Sequence, residues 1–182
     1  IQGESGTGKD VIAKEIHLNS KNSDGPFVVI NAALLSPDNI ELELFGSKDE
    51  NTTRKGLFEK SENGTLFIDE IGEMPLQTQA KILRVLTDRN FNRLGDDALI
   101  PVSCRIICSS TEILEKLVED GSFRKDLFHR INVVTISLPK LIERSGDIDL
   151  LVDHFSRIYS NLNKLSVVDL KPMILKKYFD YK

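Results

Sequence analysis

Gly3-Glu4-Ser5-Gly6-Thr7-Gly8-Lys9-Asp10 places a glycine, four intervening residues, a second glycine and a lysine at a spacing that lets a backbone loop wrap a polyphosphate. Glycines admit close approach of the main chain, its N–H groups face phosphate oxygens, and the Lys9 ammonium reaches the outer phosphates. Gly3, Glu4, Ser5, Gly6, Thr7, Gly8 and Lys9 are therefore candidate contacts for a nucleoside triphosphate; the other reading is a plain tight turn. Asp10 stands where a serine or threonine hydroxyl ordinarily ligates magnesium. Further along, Thr65-Leu66-Phe67-Ile68 reads as a buried strand ending in Asp69-Glu70. Two carboxylates there suit a division of labour: Asp69 holds magnesium through its water shell, and Glu70 orients and polarises an attacking water. An ordinary acidic strand end is the alternative.

These groups need a scaffold, and alternating strand and helix patterns supply one. Ile1-Gln2 reads as the stub of a strand, and the glycine loop leads into a helix near 8–19 with Ile12, Ala13 and Ile16 on one face. Residues 27–30 form a short apolar strand. Ser36-Pro37 then starts a helix to about Phe45, with serine as cap and proline at the first helical position. Residues 46–55 have no apolar period and read as an exposed loop. Pro75 opens a helix to about Leu86 whose inner face carries Gln79, Ile82, Leu83 and Leu86. Residues 91–94 and 98–102 flank Gly95-Asp96-Asp97 as a hairpin, and 105–108 form a buried strand. Helices follow near 111–120 and 124–129, Val133-Val134-Thr135-Ile136 reads as the last strand, and only helical stretches at 147–162 and 169–180 lie beyond Gly146. The alternation predicts an α/β fold, a mainly parallel five-stranded sheet with helices on both faces. In such sheets ligands sit at the carboxyl ends of the strands, which brings Asp69-Glu70 towards the glycine loop.

Composition narrows the classes. A chain of 182 residues, 40% apolar, can bury one sizeable core with a small appendage. Its formal charge of −4 argues against a basic nucleic-acid platform covering a face. Cys104 and Cys108, on one strand, would lie roughly 13 Å apart, too far for a disulfide, and read as reduced core residues. No apolar run approaches the ~20 residues of a membrane span and no leader pattern opens the chain, which predicts a soluble, cytoplasmic protein without membrane partners. His17 and His129 lack a spaced partner and read as structural rather than metal-ligating.

Several ordered motifs carry a family resemblance across essentially the whole chain: the glycine loop with Asp10, Ile30-Asn31-Ala32-Ala33, Glu43-Leu44-Phe45-Gly46, Gly64-Thr65-Leu66-Phe67-Ile68-Asp69-Glu70-Ile71-Gly72-Glu73 and Phe123-Arg124-Lys125-Asp126-Leu127. The chain resembles the AAA+ domain of bacterial enhancer-binding regulators, the activators that work with sigma-54 RNA polymerase. In that family an acidic residue usually follows the loop lysine, so Asp10 fits and magnesium rests mainly on Asp69. The resemblance implies an AAA+ P-loop fold, with residues 1–138 as the nucleotide-binding subdomain, its first strand truncated, and 139–182 as linker and partial helical lid. It implies ATP and Mg2+ as ligands, Asn31 paired with Glu70 as a switch, and Arg124 and Arg130 as fingers that reach a neighbouring subunit's nucleotide. A surface ion pair is the plainer reading of either arginine. The implied partners are further copies of the chain in a ring, hexameric by resemblance, RNA polymerase holoenzyme, and DNA through a domain outside this sequence. The resemblance also implies a response regulator that binds ATP and acts in transcription regulation.

Two departures from the template bear on function. Family members carry Gly-Ala-Phe-Thr-Gly-Ala shortly after Glu-Leu-Phe-Gly, and that segment touches sigma-54; here 47–53 is about five residues short and lacks the aromatic that inserts into an apolar partner surface. Beyond the third long strand the family's Thr-Asn is Ser110-Thr111, so a hydroxyl replaces the amide that senses the γ-phosphate. The expectation is an ATP-driven ring not coupled to sigma-54. The alternative is a module in which nucleotide or cyclic di-GMP sets oligomeric state without turnover, acting with the housekeeping sigma factor.

Overall fold

The computed structural model describes residues 1–144 and 146–163. The helix expected at 169–180 lies outside them. The elements run α1 (Lys9–Leu18), β1 (Phe27–Asn31), α2 (Pro37–Phe45), β2 (Gly46–Lys48), β3 (Thr53–Lys55), α3 (Leu57–Lys60), β4 (Thr65–Asp69), α4 (Leu76–Asp88), β5 (Asn90–Phe91), β6 (Ile100–Pro101), β7 (Arg105–Cys108), α5 (Leu114–Glu119), α6 (Lys125–Ile131) and α7 (Asp147–Asn163). The chain divides into two compact units after Leu138.

In the first unit β4 sits between β1 and β7, parallel to both, with Asn31 in register with Asp69. Gln2 extends the sheet beyond β7, bridging Ser110 on one side and Ser137 on the other, both in parallel sense. The sheet proper is three-stranded, β1-β4-β7, and the further strands expected beside it are represented by the single bridges of Gln2 and Ser137. Thr65, Leu66, Phe67 and Ile68 are all fully buried, because a parallel sheet is covered on both faces. Phe67 packs with Ala13 of α1 and Ile107, while Leu66 and Ile68 face a larger core with Ile40, Leu44, Ile82 and Leu127. His17 is buried and shares a 2.9 Å hydrogen bond with Thr65, a structural role.

Three expectations are corrected here. Residues 46–55 are not an open loop: β2 and β3 pair antiparallel, and the Asp49 N–H donates to the Thr52 carbonyl at 2.9 Å to close the turn. Polar side chains suffice, since the pairing is made by backbone, and Gly46 permits it: its φ is 72°, and a Cβ there would stand 2.1 Å from the Arg54 carbonyl oxygen. The hairpin also leans on the next one, β5–β6, through Lys48 N–H to Leu94 O at 2.9 Å and Leu94 N–H to Gly46 O at 3.1 Å. Second, the last strand expected at 133–136 does not form there, and the only bridge in that region, among the described residues, is at Ser137. Val133 and Val134 are 82% and 77% exposed, and chain pairing resumes only around Gln2, whose N–H donates to Ile136 O and whose carbonyl accepts from Leu138 N–H. Third, the helix expected from 111 begins at Leu114, because Ser110 and Thr111 are engaged by side-chain hydrogen bonds instead.

Candidate functional site

The glycine loop leaves the Gln2 segment and turns into α1 at Gly8, which caps the helix with φ 90° and ψ 31°. A side chain there would be strained, so glycine is required for the loop to aim its N–H groups along the helix axis. Lys9, the first residue of α1, is only 7% exposed. Its ammonium donates to Gly3 O at 2.9 Å and to Thr111 Oγ1 at 2.8 Å, and lies 3.1 Å from Glu70 Oε1. Asp10 is exposed in the first turn of α1. The P-loop lysine and one strand-end carboxylate, that of Glu70, therefore meet.

Asp69 ends β4, and Glu70, just beyond it, takes a different direction. Glu70 has left-handed backbone angles, φ 53° and ψ 51°, which turn the chain so that adjacent carboxylates meet different partners. Its N–H donates to Ser109 Oγ at 3.2 Å. Its carboxylate accepts from the Thr111 hydroxyl at 2.5 Å and the Thr111 N–H at 2.8 Å. Burial opposes ionisation of Glu70, but the Thr111 hydrogen bonds and then Lys9 outweigh it, and the carboxyl lies below the usual glutamate range.

Asn31 corrects the expected pairing with Glu70. Its amide donates to Asp69 Oδ2 at 2.7 Å, the cross-strand partner that β1–β4 register dictates, while Asn31 Oδ1 accepts from Ala33 N–H. Asp69 Oδ1 accepts from Ser109 Oγ, so both carboxylate oxygens are held in place. Such a carboxylate suits Mg2+, which takes one or two protein oxygens and completes its shell with water and phosphate. No group of three metal-ligating side chains occurs among the described residues, and this mode needs none. Ser109, 1% exposed, was missed in the sequence; its only signal was the hydroxyl run Ser109-Ser110-Thr111 at the end of a strand.

The two arginines have different partners. Arg124 starts α6 with its guanidinium on the Asp126 carboxylate at 3.0 and 2.7 Å, an exposed pair that raises its pKa further. Arg130 donates to the Leu86 carbonyl at 2.8 Å, at the end of α4. Gln79, fully buried in α4, went unrecognised as a brace: Nε2 donates to Met74 O and Ser122 O, and Oε1 accepts the Arg124 N–H. A cavity of about 660 Å3 between β7 and residues 131–136 includes Arg130 but none of Lys9, Asp69 or Glu70, so the carboxylate–lysine cluster lies outside that cavity.

The sequence of the chain and its overall fold both have close matches among known proteins. The sequence model of the Sigma-54 interaction domain matches residues 1–137. The chain belongs to the Sigma-54 interaction domain family. This domain is 46% identical over 180 residues to the regulatory protein AtoC of Escherichia coli, covering 96% of the chain and 39% of AtoC. It is 47% identical over 163 residues to the DNA-binding transcriptional regulator NtrC of Salmonella typhimurium, covering 87% and 35% respectively. NtrX of Brucella abortus, crystallised with ADP and with ATP, superposes with a TM-score of 0.86 at 40% identity, over 91% of the chain and 37% of NtrX. The chain spans under two fifths of each of these proteins. The Sigma-54 interaction domain thus has the AAA+ P-loop fold its motifs implied.

Proposed function

We propose that this Sigma-54 interaction domain is the Mg-ATP-binding engine of a bacterial DNA-binding transcriptional regulator in the cytoplasm. Lys9 meets the outer phosphates, Asp69 holds Mg2+ with phosphate oxygens, and Glu70 activates the water that attacks the γ-phosphate. The metal's part is to neutralise phosphate charge. Copies assemble as a ring in which Arg124 and Arg130 offset charge on a neighbour's nucleotide, and DNA is held by a domain outside this chain. The observation that carries the reading is the 3.1 Å approach of Lys9 Nζ to Glu70 Oε1 beside the glycine loop.

The output differs from the family pattern. The β2–β3 hairpin is closed by a tight turn and its tip, 49–52, carries Asp-Glu-Asn-Thr with no aromatic. The regulator therefore works on RNA polymerase holoenzyme without a productive sigma-54 contact. A second reading, nucleotide or cyclic di-GMP binding that sets oligomeric state without turnover, is favoured by Thr111 at the sensing position and by its hold on Glu70. Calorimetric titration with ATP, ADP and cyclic di-GMP, with phosphate release from the assembled ring, separates them. ATP binding with turnover lost in Glu70→Gln and Lys9→Ala supports the engine; binding with no turnover in the native chain supports the switch, and no binding overturns both.

A further inference from the structure

The three protons of the Lys9 ammonium are committed to Gly3 O at 2.9 Å, Thr111 Oγ1 at 2.8 Å and Glu70 Oε1 at 3.1 Å. The Thr111 hydroxyl accepts from Lys9 and donates its own proton to Glu70, so one small side chain links the cation to the carboxylate. The Thr111 N–H fixes the other carboxylate oxygen at 2.8 Å. Asn31 takes no part, being bound to Asp69. We propose that Thr111 is the positioning residue that latches Glu70 against Lys9, so that an arriving triphosphate must displace the carboxylate to reach the lysine.

The physics favours that exchange at one bond in particular. A phosphate oxygen approaching Lys9 repels the like-charged Glu70 carboxylate but not the neutral Gly3 carbonyl or Thr111 hydroxyl. Glu70 leaves Lys9 first while Thr111 still grips it at two points, so phosphate capture and glutamate release become separate events. An asparagine at 111 offers an amide in place of this short hydroxyl relay, and the threonine is what makes the latch. The inference rests on the nucleotide reading for its consequence, although the latch itself is a property of the free chain.

Thr111→Val deletes the relay at nearly constant volume and Thr111→Ser preserves it. The latch predicts that the 182-residue chain carrying Thr111→Val binds ATP about fivefold more tightly by calorimetry, because a competing hydrogen bond is gone. Thr111→Ser should bind as the native chain does. Glu70→Gln should also tighten binding, and adding Thr111→Val to it should tighten no further, a non-additivity expected only of groups acting on each other. In the nucleotide-free chain, Glu70→Ala should speed exchange of the Thr111 amide hydrogen by about tenfold. The proposal is overturned if Thr111→Val leaves ATP affinity unchanged or weakens it, or if the Thr111 amide is indifferent to Glu70→Ala. The exchange measurement requires no nucleotide, so the latch and the ATP reading fail separately.

Discussion

The side-chain oxygen of buried Gln79 accepts the backbone N–H of Arg124 at 2.8 Å, tying the start of α6 to the inner face of α4. The same amide donates to Met74 O and Ser122 O, so one residue satisfies both ends of the connection that leads to the arginine. Gln79→Leu keeps the volume and strands these partners. Leaving buried groups unsatisfied costs about 1–3 kcal/mol each, and a total near 3 kcal/mol is expected. Urea unfolding should show a lower midpoint with an unchanged slope.

Phe45, Phe58 and Phe91 form an aromatic triangle with ring centroids 5.5 to 5.9 Å apart, joining α2, α3 and β5 beneath the two hairpins. Phe58 is 2% exposed. Phe58→Ala should destabilise the chain by about 3–5 kcal/mol through the lost burial and the cavity left behind. Thermal unfolding followed by circular dichroism would register the change.

An ion-pair chain links those hairpins: Arg93 donates to Glu59 at 2.8 and 2.5 Å and to Asp96 at 3.4 Å, and Asp96 accepts from Lys48 at 3.2 Å. Burial pushes the Glu59 carboxyl up, but the Arg93 hydrogen bonds and charge hold it below its ordinary 4.5. Asp96, opposed by desolvation and held by Lys48 and the Ala98 N–H, lies below 3.8. Both groups take up protons more readily in the unfolded chain, so their stabilisation is complete above the ordinary values and is lost as pH falls through the folded ones. Urea midpoints measured from about pH 6 to about pH 3 should fall less steeply in Arg93→Met than in the native chain. Parallel acid limbs would refute the assignment.

The closed β2–β3 hairpin makes a cellular prediction. A regulator carrying this domain should activate its promoter in cells deleted for sigma-54, because the tip at 49–52 offers no aromatic anchor. Loss of activation in the deletion strain would show that the short hairpin still serves that factor.

What could be read in the sequence followed from local rules. Glycines and a lysine at fixed offsets specify the loop, and the unbroken apolar run at 65–68 specifies a strand covered on both faces. The misses share a different cause. Residues 46–55 pair through backbone groups and lean on a segment forty-odd positions away, at Leu94, which side-chain periodicity does not record. Val133 and Val134 have strand-like composition, yet the described fold offers no adjacent strand for them to join and leaves them exposed. Asn31 was paired with the wrong carboxylate because the motif specifies the residues, whereas strand register specifies that Asn31 stands opposite Asp69.

The left-handed backbone at Glu70 has a consequence for protein engineering. A non-glycine residue at such angles costs on the order of 1 kcal/mol, a cost the fold carries where a carboxylate is needed. Screens that select for thermal tolerance alone should therefore enrich glycine or asparagine at position 70, and the hardier variants they return would be the chemically silent ones.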